Sequence, residues 1–430
     1  MQFLSLRHAR TRLCAAAILL LGGLGLQQAA AQSITPLPDL IAEAVRNNPE
    51  IQASRKEQEA AEHRIAPAGT LDDPMLEAGL VSVPTDTFKL DREDMTMKMI
   101  GLSQRFPYPG KLRLRQDIAS REAEAMAHGY REMVNRVVRE TKIAYFDLAL
   151  VLESIRLTEK NKGILEQFLK IVEGRYSVGQ ATQADVLKAQ TQLSKMVEEL
   201  LKMARERPMF EAELLRALGR KGNAPAPLPQ SPELREVRLA FDELHDEALR
   251  ARPQLLALQT TVAKAEKSAE LMRKDAYPDF DVRFSYGQRD RMPDGTRRPD
   301  MVNLVVAINL PVWRERKINP RISEAQAMRE QALNMYEAQR NEIAMKLRQQ
   351  IAAAEQNLRS ARLYRNEILP QAQLTVEAAL SAYRVNRADI MTLLDSQMNV
   401  YNFEIAHAAA VANYNKALAE IDLLVGKTAQ

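Results

Sequence analysis

Four kinds of residue in this chain could do chemistry, and their spacing limits what that chemistry is. His63, His128, His245 and His407 are scattered, without the short intervals that build a metal centre. Cys14 is the only cysteine, so the chain beyond it carries neither a disulfide nor a thiolate metal site. No nucleophile is paired with a base, and no glycine-rich loop is placed to cradle a phosphate, which argues against an enzyme and against a bound cofactor. Two patterns remain. Met95, Met97 and Met99 alternate along an extended stretch, so their thioethers share a face and could act as a soft-metal relay or as flexible filling of a barrel. Asp185 follows Thr182 by three positions, where a carboxylate favours the positive start of a helix.

Asp185 belongs to a stretch that occurs twice. "GRYSVGQATQADVLKAQTQL" begins at Gly174, and a divergent copy, "SAYRVNRADIMTLLDSQMNV", begins at Ser381. Tyr176 and Tyr383, Val178 and Val385, Leu187 and Leu394, and Gln190 and Gln397 all share one offset. Upstream, "NPEIQA" at Asn48 matches "RPQLLA" at Arg252, and "RFPYPGK" at Arg105 matches "NLPVWRERK" at Asn309. The spacing is several times that of solenoid repeats, which run about 20 to 50 residues, so two sizeable units are fused. The division expected is a signal peptide at 1–31, a first repeat at 32–219, a linker at 220–239 and a second repeat at 240–426.

Composition and charge set the class. The 430 residues are poor in aromatics and glycine and rich in Ala, Glu, Leu, Arg and Gln, a balance that favours long helices. The net charge of +4 is small for so many charged side chains, and no basic block marks a nucleic-acid arm, so no nucleic-acid partner is expected. Arg7, His8, Arg10 and Arg12, the apolar run Leu13 to Leu26, and the alanines at 29–31 read as a secretory leader, with the mature chain starting near Gln32. That apolar run is shorter than the about 20 residues a spanning helix needs.

Each half has the same layout. Helical spacing from Leu40 to about Ile65 breaks at Asn47-Asn48-Pro49. The period then changes to two: Leu76, Ala78 and Leu80 alternate with Glu77, Gly79 and Val81, and the alternation resumes up to Phe106. In the second half Phe280, Val282, Phe284 and Tyr286, then Val302, Leu304, Val306, Ile308 and Leu310, alternate with mostly polar neighbours. Hairpins are expected at 74–106 and 278–312, with polar, solvent-exposed tips. Long helices follow at 111–218 and 317–424. From Lys111 to Gly174 there is no proline over about 64 residues, close to 100 Å of helix at about 1.5 Å per residue. Val186, Gln190, Leu193, Val197, Leu200 and Ala204 have the spacing of a coiled-coil seam, so the helices pair antiparallel. Gly163 and Pro370 occupy corresponding places and predict a kink or a change of winding in each copy. Gly179 and Asn386 suit the left-handed residue after a helix end, and Thr182 and Asp389 suit the N-caps that follow.

Four two-faced strands cannot close a barrel, which takes about eight or more, and an open edge cannot lie in lipid. The chain must therefore oligomerise, with eight strands from two copies or twelve from three, and only the larger gives a generous lumen. Membrane-type strands behind a secretory leader place such a protein in the outer membrane of a Gram-negative cell. A periplasmic adaptor would carry one helical hairpin and soluble β-domains, and a structural coiled coil would not need the strands.

The paired tips, "ILPQAQ" at Ile368, the helical starts and the duplicated layout resemble the TolC-like outer membrane efflux protein family over essentially all of the mature chain. That resemblance implies a mainly α fold with transmembrane β-structure: an internally duplicated long-helix α-barrel with four strands per chain, closing a twelve-stranded barrel in a homotrimer. It implies a passive exit duct in contact with outer membrane lipid, docked to a periplasmic adaptor and an inner-membrane pump of the RND type. "FPYPGK", Phe106 to Lys111, resembles the junction of members that export heavy-metal cations. The alternative cargoes are those of a multidrug or type I secretion system. Carried over residue by residue, Asp185, Tyr383 and Asp395 match the family's periplasmic constriction. Thr392 replaces one of its acids, and Ala388 stands where some members have an arginine. In a trimer Asp395 would recur three times about one axis and attract cations. Val178, Gly179 and Gln180, with Val385, Asn386 and Arg387, form the tips implied to dock the adaptor. Trp313 and Tyr108 are expected at the membrane interface.

Overall fold

The computed structural model describes residues 34–427, so the expected leader and Cys14 lie outside the described residues. In chain order the first half contains β1 (Ile34–Thr35), α1 (Leu37–Asn47), α2 (Pro49–His63), α3 (Ile65–Gly69), β2 (Met75–Val81), β3 (Met97–Phe106), α4 (Lys111–Ser177) and α5 (Gln183–Leu218). The second contains β4 (Leu228–Pro229), α6 (Phe241–Ala251), α7 (Pro253–Lys274), β5 (Phe280–Gln288), β6 (Met301–Ile308), α8 (Asn319–Leu363), α9 (Leu369–Arg384) and α10 (Ile390–Val425). Short π-helical turns, Arg314–Ile318 and Tyr364–Ile368, precede α8 and α9. The two helical breaks fall at prolines whose missing N–H is harmless at a helix start. Asn48 caps α2 through its side chain, accepting from Glu50 N at 2.8 Å, and its amide donates to Ala217 O at 2.8 Å.

The four long strands form one antiparallel sheet in the order β2-β3-β5-β6, so the hairpins of the two halves pair through β3 and β5. Residues opposite one another in an antiparallel pair point to the same side, which sorts the sheet into two faces. Leu76, Leu80, Ile100, Leu102, Phe284, Val302, Leu304 and Val306 share one face and are exposed. Glu77, Gly101, Ser103, Arg105, Asp281, Arg283, Ser285 and Asn303 share the other. Met97 and Met99 lie on this polar face, whereas Met95 precedes β3. The tips are less free than expected. Arg298 is buried and donates to the carbonyls of Leu90, Glu93 and Asp290, locking one tip to the other.

The helical part has no single centre. One apolar cluster joins α1, α2, α4 and α5 around Leu40, Ile51, Leu148 and Leu214. A second lies near the tips around Leu165, Phe168, Leu393 and Leu394, and a third joins α8 and α10 around Leu347, Tyr414 and Leu424. Such spacing suits an antiparallel bundle whose contacts run along its length. The seam of α5 uses Val186, Ala189, Leu193 and Met196, so Gln190, Val197 and Ala204 are displaced onto the exposed flank. A three-four and a four-three alternation share every seventh residue, and only the partner helix selects between them. Leu187, Val197 and Leu201 remain as an uncovered second stripe.

A change of winding occurs in only one of the two copies. Gly163 sits inside the continuous 67-residue α4, while Pro370 follows the π-helical turn at Tyr364–Ile368. Glycine keeps its N–H and weakens a helix by about 1 kcal/mol, but proline lacks the donor and clashes with the carbonyl four residues back. That carbonyl belongs to Asn366, and the looser winding accommodates it. The segment 220–239 does not hang free as a linker: β4 pairs with β1, Gln230 N donates to Tyr145 Oη at 2.8 Å, and Tyr414 Oη donates to Arg235 O at 2.8 Å.

His128 and His407 each leave a buried ring nitrogen without a partner among the described residues, and burial pushes both imidazoles down from their ordinary value. Folded, they bind protons more weakly than the unfolded chain does, so unfolding takes up protons as the pH falls through about 6.5. Stability supplied by their neutral forms is present above that pH and lost below it. His407→Gln is expected to flatten the decline in the urea midpoint between about pH 7 and 5 relative to the parent chain. Parallel profiles would mean that the imidazole does not contribute.

Candidate functional site at the helix tips

The two tips have one geometry. Gly179 has φ +74° and Asn386 φ +61°, and the next residue closes each turn: Gln180 N donates to Arg175 O at 2.8 Å and Arg387 N to Ala382 O at 2.9 Å. Only residues that tolerate the left-handed region end a helix this way. Each tip then starts its next helix with a cap. Thr182 Oγ1 accepts from Asp185 N at 3.2 Å, and Asp185 Oδ2 accepts from Thr182 N at 3.0 Å and Thr182 Oγ1 at 2.8 Å. In the second copy the carboxylate is the cap itself: Asp389 Oδ1 accepts from Thr392 N at 2.8 Å and Thr392 Oγ1 at 2.9 Å. Those donors hold the Asp389 carboxyl below its usual range. Val178, Gly179, Gln180, Val385, Asn386 and Arg387 are all exposed.

Tyr383, unlike its counterpart Tyr176, is buried, 5% exposed. The Arg175 guanidinium lies over its ring, 4.6 Å from the centroid, and donates through Nη1 to its backbone carbonyl. Tyr383 Oη has no hydrogen-bond partner among the described residues. Burial pushes the phenol up; the Arg175 charge opposes this and the nearby Asp185 adds to it. The structure thus draws Asp185 and Tyr383 into one cluster and adds Arg175, which sequence reasoning missed. Arg175 aligns with Ala382, and that asymmetry between the copies was the available signal.

Asp395 and Thr392 lie elsewhere on the tip, together on the exposed side of α10. Asn399 and Asn402 continue the same side at three-four spacing, so four polar residues run along an otherwise well-buried helix. Asp395 has no hydrogen-bond or ion-pair partner among the described residues. An unpaired carboxylate followed by two amides can contact hydrated cations without binding them tightly. No three His, Cys, Asp or Glu side chains among the described residues gather as a metal centre.

At the far end, "FPYPGK" forms a clamp. Lys111 is 3% exposed, with Nζ 2.9 Å from Asp279 Oδ1 and 3.2 Å from Asp275 Oδ1. Asp279 also accepts from Tyr108 N at 2.9 Å and pairs with Arg105 at 3.3 Å. Tyr108 stacks on Tyr277 with centroids 4.6 Å apart, so its ring is committed to the junction, whereas Trp313 is exposed beside β6.

A two-faced sheet at one end, helices of this length and a duplicated tip at the other can now be compared with known proteins. A family model described as outer membrane efflux protein matches residues 40–220 and again 244–427. The chain belongs to the outer membrane efflux protein family. Within that family it is 23% identical over 417 residues to the outer membrane efflux protein BepC of Brucella suis, covering 93% of this chain and 88% of BepC. It is 24% identical over 398 residues to the cobalt-zinc-cadmium resistance protein CzcC of Cupriavidus metallidurans, covering 89% and 88%. The outer membrane protein VceC of Vibrio cholerae shares the fold with a TM-score of 0.76 at 16% identity, covering 91% of this chain and 96% of that one. The channel CusC has a TM-score of 0.75 at 14% identity, covering 90% and 91%. Efflux-family members of this fold are channels and not enzymes, and the fold is the TolC-like one. No described helix is long and apolar enough to cross a membrane.

Proposed function

We propose that this chain is the exit duct of a tripartite efflux system and that its cargo is heavy-metal cations. The observation that carries the reading is the sheet: one face apolar and exposed, the other polar, with both edges, β2 and β6, unpaired among the described residues. Lipid does not tolerate unpaired backbone, so the edges meet those of other copies, and three chains give twelve strands around a water-filled lumen. The uncovered stripe Leu187, Val197 and Leu201 supports the same homotrimer in the helical part. In this assembly the chain sits in the outer membrane with its helices in the periplasm, conducts passively, and takes its energy from an inner-membrane pump of the RND type.

The exposed tips around Gly179 and Asn386 are the docking surface for a periplasmic adaptor. Tyr383, Asp185, Thr392 and Asp395 form the resting constriction, with Asp395 facing the axis. Similarity to a protein named for cobalt, zinc and cadmium resistance supports metal cargo. The test is growth of a deletion strain on a panel of metal salts, lipophilic drugs and dyes. Hypersensitivity confined to metals, at least about fourfold in inhibitory concentration and restored by the intact gene, is the expected result. Sensitivity to drugs with metals unaffected would assign the duct to a multidrug pump, and loss of an exported protein would assign it to type I secretion.

A further inference from the structure

We propose that Met97, Met99 and Met301 form a binding site for a soft monovalent cation, Cu(I) or Ag(I), on the polar face of the sheet. Gly287 is the pivot. It pairs directly with Met99 on β3 and with Met301 on β6, so all three positions share one face. A Cβ on Gly287 would overlap Met97 Sδ, which means that this thioether lies over the bare glycine, between the strands that carry the other two methionines. Met97 is 7% exposed, and Met99 and Met301 are half-buried, so the sulfurs are partly shielded from water without being sealed in.

The distribution of methionine points to coordination and not to filling. All four methionines in the sheet, Met75 with these three, lie on the polar face, and the apolar face has none. Leucine would fill the same volume with better-defined rotamers. What methionine adds is a neutral, polarizable sulfur. Neutral thioethers select soft Cu(I) and Ag(I), whereas zinc and cobalt take imidazole, thiolate or carboxylate, and the one carboxylate beside Met99 on this face, Glu77, is engaged by Arg283. On the same face the Glu77 carboxylate is paired with Arg283 at 3.8 Å, and the pair of Lys98 with Asp290 at 3.1 Å involves a side chain of the opposite face.

The position of the site inside a lumen rests on the channel reading. The cluster itself lies within one chain, so it is tested without reference to cargo. Purified protein in detergent is loaded with silver nitrate in chloride-free buffer. It is then desalted against excess free methionine, which strips single-thioether binding, and the silver retained per chain is counted by mass spectrometry. The parent chain is expected to retain one silver ion more than Met97→Leu/Met99→Leu/Met301→Leu. Gly287→Ala, which keeps every sulfur but displaces Met97, is expected to lose most of that difference. Zinc in place of silver is expected to show none. Equal silver in the parent and the triple variant overturns the site, as does a parent chain that retains none. If the triple variant does not fold, Met301→Leu alone decides by the same count.

Discussion

Lys111→Met is expected to destabilise the folded chain by about 3 to 5 kcal/mol, the usual cost of removing one partner from a buried ion pair. The ammonium is 2.9 Å from Asp279 and 3.2 Å from Asp275, and losing it leaves Asp279 charged in a nearly closed site with Arg105 as its remaining cation. Methionine preserves the packing of the stem, so the effect reports the charge. The measurement is the urea midpoint in detergent. Lys111→Met with Asp279→Asn is expected to recover part of the loss, because no uncompensated carboxylate then remains. The result bears on how "FPYPGK" is understood. If Lys111 served cargo, the substitution would lower metal resistance and leave the midpoint alone; an unchanged midpoint would remove the clamp from the account of the fold.

Arg175→Ala is expected to favour the open form of the tips. The guanidinium supplies a charged hydrogen bond to the Tyr383 carbonyl and a cation–π contact with its ring. Together these are worth about 2 to 3 kcal/mol where partly desolvated. If opening separates α4 from α9, losing that contact shifts the closed-to-open ratio by about 30- to 150-fold per chain. Time-averaged conductance of purified protein in planar bilayers reads this directly. Arg175→Lys keeps a charge without the planar fork and is expected to fall between the parent and Ala. Identical conductance in all three would exclude Arg175 from the latch. The contact that this substitution probes lies within one chain, between α4 and α9.

The features legible in the sequence are those set by local physics. Alternation of period two located both hairpins, because successive side chains of a strand point to opposite faces, and the register in the structure sorts Phe284 and Val302 from Ser285 and Asn303 as the alternation did. Gly179 and Asn386 announced the left-handed turns because few other residues take that conformation. What was not legible depends on partners far along the chain. Arg175 meets Tyr383 across 208 positions, and nothing local marks it. The seam of α5 was misplaced by one residue at every second position for the same reason. Asn399 and Asn402 escaped notice because two amides on a helix are unremarkable until the rest of α10 is known to be buried. No change of winding accompanies Gly163, because glycine permits one without requiring it.

The unequal outcome at Gly163 and Pro370 has a mechanical consequence. One half of the duplicated chain carries a single uninterrupted rod from the strands to the tip. The other carries a joint at Tyr364–Ile368 and, below it, a lever of 16 residues, about 24 Å long at about 1.5 Å per residue. If the channel reading holds, a push on the second tip is expected to be taken up at that joint and a push on the first to be carried along the shaft. The duplicate units would then serve as strut and crank.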